Sequence, residues 1–278
     1  MKISICNELF QDWPIEKVFD YVAQLGYEGV EIAPYTLADS VTEISAKRRS
    51  AIRRASERSG VEIVGLHWLL VRPEGLYINH PDEITRIRTQ EYIEALIHFC
   101  ADIGGKILVH GSPHQRTIQE GWNPRDSWEY AKETFEACLK VARKRNVIYC
   151  IEPLAHTSTN FINTVDQAIQ LVKEIRHPNF KMMFDCRSAS IEEKSVIEAL
   201  NRALDSRALY HVHVNDVSGK GPGFGETKFY PILKALLEKG YPYYISVEVF
   251  DFNPDPQTIA SRSIGYLRGI LEGLCPKK

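Results

Sequence analysis

Short apolar runs alternate with longer segments in which apolar residues recur at three- and four-residue spacing, and the pair repeats eight times along the chain. The runs Lys2–Cys6, Gly29–Ala33, Glu62–His67, Lys106–His110, Ile148–Glu152, Lys181–Asp185, Tyr210–Val214 and Tyr244–Val249 read as strands. Each is short and bounded by turn residues, as buried strands are. The spacing predicts amphipathic helices between them, among others over Thr42–Ser59, Pro81–Ile103 and Pro124–Arg145, each with one buried face. Glycines such as Gly26, Gly60, Gly104 and Gly240 stand where a helix should end in a left-handed residue before the next strand. Eight βα units in order, undivided by any Pro/Gly/Ser-rich linker, predict an α/β fold of (β/α)8 TIM-barrel type, one domain over residues 1–278. The longest irregular stretch is Asp216–Lys228, after the seventh strand.

Strand periodicity then selects residues. Side chains alternate across a strand, so if Glu152 faces the lumen, Cys150 and Ile148 face it too, while Val147, Tyr149 and Ile151 face the helices. The same parity sends Asp185 inward with Met183 and Lys181, His213 with His211, and Glu248 with Ser246 and Tyr244. Glu152, Asp185, His213 and Glu248 thus close four consecutive strands at the C-terminal rim, where barrel enzymes carry their catalytic groups. Taken singly, each could cap a helix or pair with a nearby charge. Together, three carboxylates in a half-buried lumen would repel one another and suffer raised pKa values unless a cation neutralised them. The oxygen-rich set with one imidazole suits one divalent metal ion, Mn²⁺ first, with Mg²⁺, Co²⁺ or Zn²⁺ as alternatives. His211 is the competing imidazole; His213 lies nearer the rim.

Composition narrows the setting. A net charge of −2 leaves no basic surplus for gripping nucleic acid, and no stretch approaches the length of a membrane span. Six cysteines without a CxxC pair, several inside apolar runs, read as reduced thiols, and the chain opens directly into a strand; both point to a cytoplasmic protein. Other rim candidates are His67 and His110 at the ends of strands three and four, and the aromatics Trp13, Trp68 and Phe224. Arg116, alone in a loop, reads as a solvated charge that could hold an anion.

The stretches IEP, FD, HVHVND followed by GPGFGE, and SVEVF, together with LVHGSPHQR and IEPLAHTSTNFINT, resemble the xylose-isomerase-like TIM barrels, and most of all their sugar isomerase/epimerase branch. The resemblance spans all eight units. It implies that Glu152, Asp185, His213 and Glu248 are the metal ligands, and that Glu152 and Glu248 double as the catalytic acid/base pair. In such chemistry one carboxylate removes the proton beside a carbonyl, the other returns one to the opposite face, and the cation stabilises the enediolate between. It also implies His67 and His110 as substrate-binding residues, a small carbohydrate as partner, and a homo-oligomer, since related barrels commonly pair; His156, four residues after Glu152, and Ser188 are the further substrate-binding candidates.

The chain departs from that pattern at two places. Three residues after the sixth-strand Asp, where the family often has a histidine, stands Ser188; six after His213, where tagatose 3-epimerases tend to carry arginine, stands Gly219 beside Lys220. The alternatives are accordingly an inosose-dehydratase-like lyase on the same metal site, then an endonuclease IV-like phosphodiesterase or a non-catalytic sugar-binding barrel.

Overall fold

In the computed structural model, which describes residues 1–275, the eight strands pair in parallel and in chain order, and β1 closes the barrel onto β8. They are β1 (Lys2–Cys6), β2 (Gly29–Ile32), β3 (Glu62–Leu66), β4 (Ile107–His110), β5 (Ile148–Ile151), β6 (Phe180–Asp185), β7 (Leu209–Val214) and β8 (Tyr244–Val247). The helices around them are α1 (Ile15–Leu25), α2 (Ala46–Ser59), α3 (Glu83–Ile103), α4 (Pro124–Arg145), α5 (Val165–Ile175), α6 (Cys186–Glu192), α7 (Val196–Asp205), α8 (Phe229–Glu238) and α9 (Pro256–Leu274). None of the described helices is long and apolar enough to cross a membrane.

Capping sets the helix boundaries more sharply than periodicity does. α4 spans the predicted residues, with Asn123 capping and Pro124 in the first turn. α2 begins four residues later than its apolar pattern: Ser45 accepts from the Arg48 N–H, and the preceding Val41–Glu43 forms a separate 3-10 turn. α3 likewise starts after Pro81, at the cap made by Asp82 on Thr85 N–H. Gly26, Gly60 and Gly104 end their helices in the left-handed region, as expected.

Two apolar cores result. A large one fills the space between barrel and helices. A small one, Val64, Ile107, Val109, Cys150 and Met183 with Ile148, Tyr210 and Tyr244 at its margin, plugs the lower lumen and agrees with the parity expected for β5, β6 and β8, while Tyr210 at the foot of β7 packs against it out of that parity. Two register shifts adjust the rest, one in the β2–β3 pairing and one in the β6–β7 pairing. The first sets Glu31 opposite Gly65, and a Cβ at Gly65 would overlap the Ile107 carbonyl oxygen, so only glycine fits there. The extra residue turns His67, just beyond β3, toward the lumen. Above the small core the lumen is polar, and there the site begins.

Candidate metal centre and active site

Each of the four rim residues stands within one residue of a strand end. Glu152 follows β5, and its N–H still donates to the His110 carbonyl (3.2 Å), which continues the ladder and fixes its side chain. Glycine at 111 makes room for it, since a Cβ there would collide with Glu152 Oε2. Asp185 ends β6 and is held from two sides: Oδ1 accepts from the Ser188 N–H and Oδ2 from Asn215 Nδ2, both at 2.6 Å. Asn215 also reaches Glu248 Oε2 (3.4 Å) and takes the Arg187 N–H on its own oxygen (2.9 Å), linking the ends of β6, β7 and β8. One ligand atom from each of Glu152, Asp185, His213 and Glu248 lies within 4.8 Å of all the others, and all four residues are buried.

The electrostatics of this quartet are those of a site short of positive charge. Burial pushes the Glu152 carboxyl well above its usual range, and Glu248 raises it further. Burial also raises Glu248, with His213 opposing and Asp185 reinforcing. His213 moves the other way: burial would neutralise it, yet Glu248 and Glu31 hold its imidazole well above the ordinary range. Its two nitrogens face different partners, Nδ1 toward Glu248 Oε2 (3.0 Å) and Glu152 Oε1 (3.9 Å), Nε2 toward Glu31 (3.2 Å). Three carboxylates and an imidazole nitrogen on one point are a donor set that fits a hard or borderline divalent cation. With Nε2–H donated to Glu31, Nδ1, which here faces Glu248, is the nitrogen that would give up its proton and offer its lone pair to such an ion.

A cavity of about 230 Å³ opens over Glu152 and Glu248. His67, Trp68, Ser158, Arg187, Ser188 and Phe250 are among its walls, and Trp68 meets Phe250 edge to face at 6.4 Å. Two buried carboxyls thus face a small, partly aromatic cavity, an arrangement with the size for a small polar molecule and with groups that can move protons.

A family profile described as "Xylose isomerase-like TIM barrel" matches residues 19–270. The chain belongs to this family. Among curated relatives, the "Probable ketose 3-epimerase" of Synechocystis sp. is 27% identical over 239 residues, covering 85% of this chain and 79% of that protein. The "3-dehydro-D-guloside 4-epimerase" of Escherichia coli is 25% identical over 276 residues, covering 96% and 99%. Among solved structures, D-psicose 3-epimerase with D-tagatose from Clostridium cellulolyticum H10 superposes with a TM-score of 0.85 at 21% identity, over 98% of this chain and 99% of that one.

This xylose isomerase-like barrel brings some of the expected rim residues together and leaves others out. His67 and Ser188 line the cavity. His110 does not: β4 sends Ile107 and Val109 inward, so His110 points outward, bonding Tyr149 Oη through Nδ1 (2.7 Å) and packing on Phe135. Burial and Arg116 push its pKa well below the ordinary imidazole range, leaving a neutral core side chain. His156 is 67% exposed and pairs with Glu192, away from the cavity walls. Trp68 lines the cavity as expected, with Phe250 beside it, whereas Trp13 packs on Phe10 and Tyr21, and Phe224 under Arg262. Arg116 is not solvated but fully buried, near the Glu152 charge, with its pKa lowered to about 10 by burial.

Two further carboxylates join the site from the first strands. Glu8, in the 3-10 turn after β1, bonds His67 Nε2 (2.7 Å), and with His67 and Glu248 forms another close group of ligand-type atoms. Glu31 in β2 is fully buried and accepts from His211 Nε2 (2.7 Å), Ser246 Oγ (2.7 Å) and His213 Nε2. Burial would raise its pKa, but His211 and His213 hold it well below the usual carboxylate range. The parity that selected Glu152 also selects Glu31, since Val30 and Ile32 flank it and face the helices.

Proposed function

We propose that this protein is a divalent-metal-dependent epimerase or isomerase of small keto-sugars or polyol ketones. The observation that carries the reading is the pairing of two buried glutamates, Glu152 and Glu248, with Asp185 and His213 around one point under a cavity. The names of the relatives, epimerases of ketoses and of a dehydro-guloside, support it.

Glu152, Asp185, His213 and Glu248 would hold the ion, with Mn²⁺ favoured by the oxygen-rich donor set. When bound, a divalent cation supplies Lewis-acid stabilisation to oxygens that gain negative charge during proton transfer at a carbon beside a carbonyl. The side chains do the rest. One glutamate removes the proton from the carbinol carbon and the other delivers one to the opposite face. Asn215 and the Ser188 N–H hold Asp185 still, and Glu31 holds His213, so the reacting groups need not reorganise. Trp68 and Phe250 narrow the water-accessible face.

Solvent exchange tests this directly. With Mn²⁺ in D₂O, the protein is expected to incorporate one deuterium beside the carbonyl of at least one member of a panel of ketoses and inososes, without loss of water. Elimination of water would instead assign a lyase, and no exchange across the panel would overturn the reading.

A further inference from the structure

The cavity carries one cation with no acid to answer it. Arg187 follows Asp185 by two residues, and its backbone N–H is fixed by Asn215. Arg187 lines the cavity, and its Cζ lies over the Phe250 ring, 5.3 Å from the ring centre. Among the described residues the guanidinium donates to no carboxylate and no carbonyl, and its Nε is buried without a partner. Beside it, the hydroxyls of Ser158 and Ser188 also line the cavity and meet no protein group among the described residues. A planar donor fork held on an aromatic face, with two free hydroxyls next to it, matches the geometry of a carboxylate or a phosphate.

We propose that the substrate of this site is an anionic keto-sugar, a sugar acid or sugar phosphate, whose charged group is received by Arg187 with Ser158 and Ser188. This rests on the keto-sugar reading above and narrows it. Lys220, the nearby cation in the loop after β7, lies 3.7 Å from Asp251 and is not among the cavity walls, which leaves Arg187 to meet an anionic group there. Neutral sugars would leave the half-buried guanidinium beside the ring without a counter-charge, whereas an anionic group would supply one.

Three probes that share a keto-sugar and differ at C6 test it: D-fructose, D-fructuronate and D-fructose 6-phosphate, titrated calorimetrically into the Mn²⁺-loaded protein and into Arg187→Gln. The expected result is that at least one anionic probe binds more tightly than D-fructose, and that Arg187→Gln lowers this preference by about 10- to 100-fold. Preference for fructuronate alone identifies a carboxylate, and for the 6-phosphate alone a phosphate. Arg187→Lys, which keeps the charge but not the fork, should retain part of the preference, with thermal melts confirming that both variants fold. Equal binding of all three probes, or a loss in Arg187→Gln that is the same for every probe, would overturn the inference and make Arg187 a counter-charge for the carboxylates. Deuterium exchange run on the same samples separates the two readings. Exchange without anionic preference sinks only this inference; anionic preference without exchange or any turnover sinks the epimerase reading.

Discussion

Replacing Glu31 by Gln removes the charge behind His213 while keeping the size of the side chain. Glu31 is fully buried and accepts from His211 Nε2 (2.7 Å), Ser246 Oγ (2.7 Å) and His213 Nε2 (3.2 Å). A glutamine offers one oxygen and one amide in their place, so at least one imidazole N–H meets an N–H donor. Breaking a buried, hydrogen-bonded charge pair costs about 3–5 kcal/mol. At roughly 2–4 °C per kcal/mol for a chain near this size, the metal-free protein should melt about 6–20 °C lower. The second effect is on the centre itself: with Nε2–H no longer held, His213 can swap tautomer or turn, and Mn²⁺ affinity should fall about 10- to 100-fold. Calorimetric Mn²⁺ titration gives the affinity, and ¹⁵N shifts of the histidine side chains in protein with a diamagnetic ion report the tautomer. Unchanged affinity and unchanged His213 shifts in a folded Glu31→Gln variant would refute the idea that Glu31 positions His213.

Other perturbations separate the site from the scaffold. Gly65→Ala forces a Cβ against the Ile107 carbonyl and should destabilise the barrel by about 1–3 kcal/mol, read as a lower melting temperature, without altering the quartet directly. His156→Ala, at an exposed pair with Glu192, should change stability by no more than about 0.5 kcal/mol and leave KM for the working substrate within about twofold; a large KM rise would restore His156 to the substrate site. His110 is neutral in the fold because burial lowers its pKa, whereas the unfolded chain binds a proton below about pH 6.5, so stability should fall as pH drops through that value. His110→Phe should reduce that slope by up to about 1.4 kcal/mol per pH unit, measured by denaturant melts at several pH values. Five cysteines are buried, with burial raising their thiol pKa values, and Cys275 is exposed; a chromogenic disulfide reagent should therefore titrate one thiol quickly and the rest only on unfolding.

The eight strands were legible because a barrel strand is short, apolar and flanked by helical periods, and all eight positions hold to within two residues at either end. Parity was equally informative where strands run regularly: it placed Cys150, Met183, His211, Ser246 and the quartet in the lumen, and the structure agrees. The same alternation excludes His110, because Ile107 and Val109 are the inward residues of β4. The β2–β3 register shift that turns His67 inward leaves no mark in composition beyond a glycine at 65. Arg116 shows a different limit. A lone arginine in a polar stretch reads as solvated, and only the packing of the loops after β4 and β5 buries it beneath Glu152. Glu31 was within reach of the same periodicity, but a single carboxylate inside an apolar run signals a site only once its partners on β7 are known.

The claim on which the rest depends is that Glu152, Asp185, His213 and Glu248 hold one divalent ion. The most direct measurement is a calorimetric Mn²⁺ titration of metal-stripped protein beside Asp185→Asn and Glu152→Gln, with thermal melts of the same samples. One site per chain is expected in the parent, with stabilisation of about 2.7 kcal/mol at a free ion concentration a hundred times Kd, and binding at least tenfold weaker in each variant. No heat and no shift in melting temperature in the parent, or equal affinity in the parent and both folded variants, would contradict the metal centre.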